Sequence, residues 1–161
     1  MKTLLLALLA VACLLSAGCA ATTSSGNHAS PVGAPGHVTP TEQEVAALFD
    51  RWNESLQTGD PEAVVDNYAE RSILLPTVSN TPRLTRAEKI DYFEHFLENQ
   101  PSGTVTMRQI TRGPDMAVDS GLYTFHFART GDEVKARYSF TYRWDGTQWL
   151  IVSHHSSAMP E

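Results

Sequence analysis

The chain has 161 residues, enough for about one domain, and its 12 basic and 18 acidic residues give a formal net charge of −6. That acidic balance argues against nucleic-acid binding, which needs a basic patch to neutralise phosphates. Hydrophobic residues make up 42% of the chain and charged residues 19%, so a packed core is expected and global disorder is not. Two cysteines exclude a disulfide-dense scaffold and a cysteine-rich zinc module.

The N-terminus has the pattern of an export signal. Lys2 precedes the apolar run Leu4–Leu15, which is shorter than the roughly 20 residues of a membrane span. Ser16-Ala17-Gly18 then precedes Cys19, and this resembles the bacterial lipobox, which implies removal of residues 1–18 and lipidation of Cys19. Alanine after the cysteine resembles the outer-membrane sorting pattern, so we expect an anchored protein that faces the periplasm. The alternative is ordinary signal-peptidase cleavage near Ala20, which gives a soluble periplasmic protein.

A tether follows the signal. Residues 20–40 contain no Asp, Glu, Lys or Arg and are rich in Gly, Pro, Ser, Thr and Ala. Such a stretch buries too little apolar surface to offset the entropy of ordering it. We therefore interpret residues 19–40 as the lipidated cysteine and a flexible tether, in which His28 and His37 are solvated bystanders. Residues 41–161 form the folded domain.

Three helix signals open the domain. Thr39-Pro40-Thr41-Glu42 supplies a capping threonine and a proline at the first helical position. Asp60-Pro61-Glu62 starts a second, shorter helix that uses Tyr68 on its apolar side. Thr85-Arg86-Ala87-Glu88 is a capping box that opens a third helix, which is expected to bury Ile90 on its apolar stripe.

Strand periodicity follows. A short strand, Ser72–Leu75, precedes the third helix, and apolar residues alternate from Gly103 onward in four runs separated by hairpin turn signals. These runs are Thr104–Arg112, Met116–Arg129, Val134–Trp144 and Gln148–Ser157. Helices segregated from an antiparallel sheet predict an α+β domain. We expect a cone-shaped half-barrel, with three N-terminal helices packed on a curved, mostly antiparallel sheet that ends in a four-strand meander. The hollow of such a cone is a common ligand site.

Two segments resemble a known family. Thr58-Gly59-Asp60-Pro61-Glu62 with Tyr68-Ala69-Glu70 is similar to the opening of the association-domain branch of the nuclear transport factor 2-like (SnoaL-like) superfamily. Asp145-Gly146-Thr147-Gln148-Trp149-Leu150-Ile151-Val152 is similar to a later segment of the same branch, which includes the association domain of calcium/calmodulin-dependent protein kinase II. The resemblance covers nearly all of the folded domain.

A third motif resembles a particular enzyme class within that branch. His154-His155-Ser156-Ser157-Ala158-Met159-Pro160 is similar to the His-His-Ser-Ser segment of iota-class carbonic anhydrases, which interconvert carbon dioxide and bicarbonate. Those enzymes use Thr, Tyr, Ser and His side chains around a water molecule. The resemblance implies a catalytic set of Thr77, Tyr92, His155 and Ser157. It implies substrate contacts from His154, Ser156, Ser139 and Phe140.

The residue chemistry is compatible with that activity and with plainer roles. Alternate side chains of a strand share a face, so His155 and Ser157 point together and His154 points the other way. We expect the His155–Ser157 pair to face the hollow and hold a water between a proton acceptor and a hydroxyl. The alternative is a buried histidine satisfied by backbone groups beside a strand-end serine. The corresponding alternatives are that Thr77 forms a hydrogen bond within a turn and that the Tyr92 ring is part of the core.

We expect no metal cofactor. Zinc sites that activate water usually need three protein ligands, and adjacent His154 and His155 cannot both face one ion from a regular strand. His95 and His126 are the only other histidines of residues 41–161. Zinc or manganese remains the alternative, because the iota-class resemblance implies both metal-dependent and metal-free enzymes.

Two other functions stay open. One is a non-enzymatic module for small-ligand binding or oligomerisation, of the association-domain type, and a homodimer is expected in either case. The other is a SnoaL-like isomerase or cyclase, which needs a carboxylate base inside the hollow. Asp91 and Glu94 lie on the third helix, and Asp115 and Asp119 have the spacing of turn or edge residues. For the carbonic anhydrase interpretation, the expected partners are carbon dioxide or bicarbonate and, through the lipid on Cys19, a membrane.

Overall fold

A computed structural model describes residues 37–77 and 79–160 of the chain. The predicted signal peptide, the lipidation of Cys19 and the role of His28 lie outside the described residues. Within residues 37–77 and 79–160, no helix combines the length and the apolar character needed to cross a bilayer.

Three helices form the first layer, as predicted. They are α1 (Glu42–Leu56), α2 (Pro61–Val65) and α3 (Arg86–Leu97). Thr41 and Thr85 cap α1 and α3, and each hydroxyl accepts from the backbone N–H three residues later. The glutamate at that position accepts in return from the threonine backbone N–H. Each capping box thus satisfies N–H groups that the first helical turn leaves unpaired.

Two helix boundaries differ from the prediction. The cap of α1 is Thr41 rather than Thr39, because Thr41 forms a complete capping box with Glu44. The second helix ends at Val65, and Tyr68 begins a strand instead of extending the helix.

The buried side of α3 also differs from the prediction. Lys89 is 1% exposed, whereas Ile90 is only half-buried. The Lys89 ammonium group donates to the carbonyl oxygens of Ser72 at 3.0 Å and Leu84 at 2.8 Å. These hydrogen bonds offset the cost of burying a polar group and attach α3 to the neighbouring strand.

The second layer is one five-stranded sheet. Its strands are β1 (Tyr68–Leu75), β2 (Pro101–Gly113), β3 (Met116–Phe127), β4 (Asp132–Trp144) and β5 (Trp149–Ala158). They lie in the order β1-β5-β4-β3-β2. The β1–β5 pair is parallel and the other three pairs are antiparallel. The prediction of an α+β fold, with helices on a curved and mostly antiparallel sheet ending in a four-strand meander, is confirmed.

A β-bulge in β5 changes which side chains face the core. Thr141 and Tyr142 are consecutive in β4, yet their partners in β5 are Ser153 and Ile151. Val152 is therefore an extra residue in β5. One extra residue shifts the two-residue alternation, so every side chain beyond it exchanges faces relative to a regular strand.

The described chain begins against the β2–β3 turn. The His37 imidazole pairs with the Asp115 carboxylate. The Val38 N–H donates to the same carboxylate at 2.8 Å, and the Asp115 N–H donates to the Val38 carbonyl at 2.9 Å. The His37 side chain is 77% exposed, so it is solvated as predicted, but it also pairs with Asp115, a distant contact of which the charge-poor sequence gives no sign.

A second bulge, at Thr106 in β2, creates a testable constraint at Gly121. A Cβ built on Gly121 would lie 1.9 Å from the Met107 carbonyl oxygen, and backbone cannot yield easily at that distance. Gly121→Ala should lower the free energy of unfolding by about 1–3 kcal/mol through overpacking. Gly113→Ala is the matched control, because its Cβ would meet only the Met116 carbonyl at 3.9 Å. Urea unfolding followed by circular dichroism measures both, and equal midpoints for the two variants would contradict the constraint.

Candidate functional site

A small cavity of about 80 Å³ lies between the helices and the sheet. Its apolar wall comprises Trp52, Leu74, Pro76, Phe93, Phe96, Phe125, Phe127, Val134 and Ala136. Its polar lining comprises Thr77, Tyr92, Tyr123, His154 and Ser156. The volume admits a few water-sized molecules and is well below the roughly 300 Å³ at which pockets for drug-sized ligands begin.

His154 is held by packing and by one hydrogen bond. Its ring stacks on Phe140, with centroids 4.0 Å apart, and meets the edge of Trp52 at 5.2 Å. The Tyr68 hydroxyl pairs with its Nδ1 at 2.8 Å, while Nε2 has no hydrogen-bond partner among the described residues. Burial, followed by the neighbouring His155, lowers the pKa of His154 to about 3. The imidazole is therefore neutral near pH 7, and its Nε2 is a buried ring nitrogen without a hydrogen-bond partner among the described residues.

Ser156 is the centre of a chain of three hydroxyls. The buried Tyr123 hydroxyl donates to Ser156 Oγ at 2.5 Å, and Ser156 Oγ also pairs with the Thr77 hydroxyl. A hydroxyl has one proton to donate, so a donor at Tyr123 leaves Ser156 free to donate onward to Thr77. Thr77 is half-buried and forms the outer end of this chain.

The two cavity tyrosines remain protonated. Burial raises the pKa of both Tyr92 and Tyr123, so each phenol is a hydrogen-bond donor at neutral pH. Tyr92 stacks on Phe96, with ring centroids 5.7 Å apart and planes at 17°. Its position on α3 is therefore fixed by an aromatic neighbour one helical turn away.

The structure brings part of the predicted set together. Thr77 and Tyr92 line the cavity. The expectation that His155 and Ser157 face inward is wrong, because His155 is exposed and Ser157 half-buried on the opposite face of β5. The bulge at Val152 is the physical reason. Because of this bulge, His154 and Ser156, the other His-x-Ser pair of the motif, point inward.

The predicted substrate contacts divide in the same way. His154 and Ser156 line the cavity. Phe140 is buried and supports the His154 ring from behind, but it is not part of the lining. Ser139 is half-buried and pairs across the sheet with His155, so it lies away from the cavity.

Sequence reasoning missed Tyr68 and Tyr123. Tyr68 was assigned to a helix, and Tyr123 is an aromatic residue in a strand, where most such residues only pack. Neither residue has a local signal for its role, because each acts through a partner on β5, at His154 and Ser156.

Comparison with known proteins identifies the family. The model of the family described as calcium/calmodulin dependent protein kinase II association domain matches residues 41–160. A solved structure assigned to the same kind of domain, from Xanthomonas campestris, is 49% identical, covers 76% of this chain and 90% of its own, and superposes with a TM-score of 0.72. The chain belongs to the calcium/calmodulin dependent protein kinase II association domain family. None of the curated proteins compared with it matches significantly.

More distant solved structures share the fold of this association domain. An NTF2-like protein of unknown function from Pseudomonas putida KT2440 is 17% identical, covers 74% of this chain and 87% of its own, and has a TM-score of 0.65. An NTF2-like protein assigned as a dehydratase, from Streptomyces avermitilis, is 14% identical, covers 74% of this chain and 96% of its own, and has a TM-score of 0.66. These likenesses place the domain in the NTF2-like cone fold and carry nothing further.

A buried ion pair lies elsewhere in this association domain. Asp119 is 0% exposed and accepts from Arg108 Nε at 3.2 Å and from the Tyr138 hydroxyl at 2.9 Å. The prediction that Asp119 is a turn or edge residue is therefore wrong, since its partner Arg108 lies on the adjacent strand β2. Asp119 does not line the cavity. Both partners bind its Oδ1, and its buried Oδ2 has no hydrogen-bond partner among the described residues.

The cavity's donor set does not fit a zinc or manganese ion. It offers one imidazole and the hydroxyls of Thr77, Tyr92, Tyr123 and Ser156, whereas zinc sites use three or four His, Cys or carboxylate ligands. Across residues 37–77 and 79–160, no group of three such side chains is placed to hold a metal.

The low pKa of His154 gives a prediction for stability. Because the unfolded state takes up a proton near pH 6.5 and the native state only near pH 3, acid should favour unfolding between these values. His154 should contribute a rise in unfolding free energy of about 1.4 kcal/mol per pH unit across that window. His154→Gln should remove this slope, while His155→Gln, on the exposed face of β5, should leave it nearly unchanged. Urea titrations at several pH values test both, and identical slopes for wild type and His154→Gln would refute the assignment.

Proposed function

We propose that this association domain is a carbonic anhydrase, which interconverts carbon dioxide and bicarbonate. The observation that carries the proposal is the convergence of Thr77, Tyr92, His154 and Ser156 on one cavity of about 80 Å³ with an aromatic wall. These are the residue types that the iota-class resemblance implies. The proposed His-x-Ser pair is His154–Ser156, in place of the His155–Ser157 pair that the resemblance implies.

The size and wall of the cavity suit the substrate. Carbon dioxide is apolar overall and no larger than a few water molecules, and nine apolar or aromatic residues surround the space. A steroid or polyketide needs a far larger pocket. The cavity also has no carboxylate among its lining residues, so the isomerase or cyclase alternative has less support.

His154 is proposed to orient the attacking water. With Nδ1 protonated and donating to the Tyr68 oxygen, Nε2 is an acceptor for a water O–H. Such a neutral imidazole positions the water but does not keep its proton near pH 7, since its pKa is about 3. The water oxygen bonds to the carbon of carbon dioxide, and one C=O electron pair moves to oxygen as bicarbonate forms.

The cavity hydroxyls are proposed to stabilise the charge that develops. Tyr92 is protonated because burial raises its pKa. Ser156 donates to the Thr77 oxygen, which leaves the Thr77 proton free to be donated in turn. Donors fixed in advance in a water-poor cavity lower the barrier more than the same groups in water. The water passes its proton to Ser156 Oγ as Ser156 passes its own to Thr77 and the half-buried Thr77 releases its own to solvent, so Tyr92 is the donor to the oxyanion during this step. The products are bicarbonate and one proton, which balances the reaction without a metal.

A second candidate is ligand binding without turnover. The wall contains Phe93, Phe96, Phe125 and Phe127, which also suits a small apolar molecule. The proposed setting is the same in either case: a lipid-anchored, periplasmic homodimer, as the N-terminal sequence and the fold resemblance imply.

Adjacent serines provide the sharpest test of the enzyme proposal. Ser156→Ala removes the centre of the hydroxyl chain and should lower the rate of carbon dioxide hydration by about a hundredfold, the usual cost of one preorganised donor. Ser157→Ala, on the opposite face of β5, should change the rate less than about twofold. Stopped-flow hydration with a pH indicator measures both on the purified full chain treated with chelator, and circular dichroism controls for folding.

The outcomes separate the proposals. Equal losses in Ser156→Ala and Ser157→Ala would contradict the assigned cavity. Activity that returns only on addition of zinc or manganese would contradict the metal-free mechanism. No activity under any metal condition would leave ligand binding as the function.

A further inference from the structure

A second depression adjoins the cavity on its outer side. It has a volume of about 320 Å³ and is lined by Ser79, Arg83, Tyr92, His95, Phe96, Asn99 and Phe127. Tyr92, Phe96 and Phe127 also line the cavity, so the two spaces share one aromatic wall. We name this second depression the antechamber. The Tyr92 ring is the part of the wall that lies beside Arg83.

The polar side chains of the antechamber match an oxyanion. Arg83 brings a permanent positive charge, Ser79 a hydroxyl and Asn99 an amide. No Asp or Glu is among the described residues that line it. A carboxylate does lie near this region, that of Asp91, which pairs with Arg83 at 2.8 Å but is not among the lining residues.

Arg83 is fixed in position but has unused donors. Its backbone forms two hydrogen bonds with Leu74, at 3.0 and 2.9 Å, and its guanidinium carbon lies 5.9 Å from the centre of the Tyr92 ring. Its side chain is 20% exposed. Nη1 donates to Asp91 Oδ2 at 2.8 Å, whereas the buried Nε has no hydrogen-bond partner among the described residues. A buried donor without a partner is costly, and a ligand recovers that energy only by displacing the groups that cover Nε.

We infer that the antechamber is a bicarbonate subsite in which Arg83 holds the anion at the entrance to the cavity. The inference rests on the proposed function for the choice of anion, and on the antechamber's own donors for the site. A guanidinium is planar and presents parallel donors that fit a planar oxyanion. Bicarbonate formed in the cavity would pass Tyr92 to Arg83 on its way out, and the anion would follow the reverse path on entry.

Binding is tested directly, without activity. The full chain labelled with ¹⁵N is titrated with sodium bicarbonate at constant ionic strength, and the Arg83 Nε–H resonance is followed by NMR. Arg83→Met should weaken bicarbonate binding, followed through backbone amides around the antechamber, by about tenfold, the loss expected for a charge-assisted pair. Arg83→Lys keeps the charge but loses the planar guanidinium, so its bicarbonate affinity should lie between those of the wild type and Arg83→Met. Asp91→Asn is the matched control, and it should tighten binding about threefold by releasing the guanidinium from a partly exposed ion pair.

Each result decides one claim. Unchanged binding in a folded Arg83→Met variant, or an equal response of the wild type to chloride, would overturn the subsite. Arg83-dependent bicarbonate binding by a protein with no hydration activity would support the subsite and overturn the catalytic proposal. In an active enzyme, Arg83→Met should raise the bicarbonate KM of the dehydration reaction about tenfold, and an unchanged KM would also overturn the subsite.

Discussion

The extra residue in β5, Val152, determines which side chains of the last strand meet the core. It shifts the strand alternation so that His154 and Ser156 point inward. There the Tyr68 hydroxyl pairs with His154 and the Tyr123 hydroxyl donates to Ser156. A regular strand would instead bury the next pair along the chain and place the imidazole of His154 in solvent. The cavity, the neutral imidazole and the hydroxyl chain all depend on this one shift.

The buried polar groups are sustained by the aromatic shell around them. Removing water strengthens the hydrogen bonds of Tyr68 with His154 and of Tyr123 with Ser156, and it penalises any group left unpaired. The His154 Nε2 atom is buried and unpaired among the described residues.

The sequence predicts the elements that have local causes. The Thr85 capping box, the Asp60-Pro61 helix start and the two-residue alternation of the meander each depend on neighbours within a few positions, and each is found. The bulge at Val152 depends on pairing with β4, and the burial of Asp119 depends on Arg108 across the sheet. No local pattern records such contacts. The predicted motif therefore lies on β5, but its two faces are the reverse of those expected.

If the domain is a carbonic anhydrase as proposed, the cavity binds the reacting carbon species. A crystal structure of the full chain soaked in bicarbonate tests this most directly. We expect a planar, three-oxygen ligand inside the cavity, with oxygens at hydrogen-bond distance, roughly 2.7–3.2 Å, from the Thr77 and Tyr92 hydroxyls. An empty or water-filled cavity at saturating bicarbonate, with His154 and Ser156 turned to the outer face of the sheet, would contradict it.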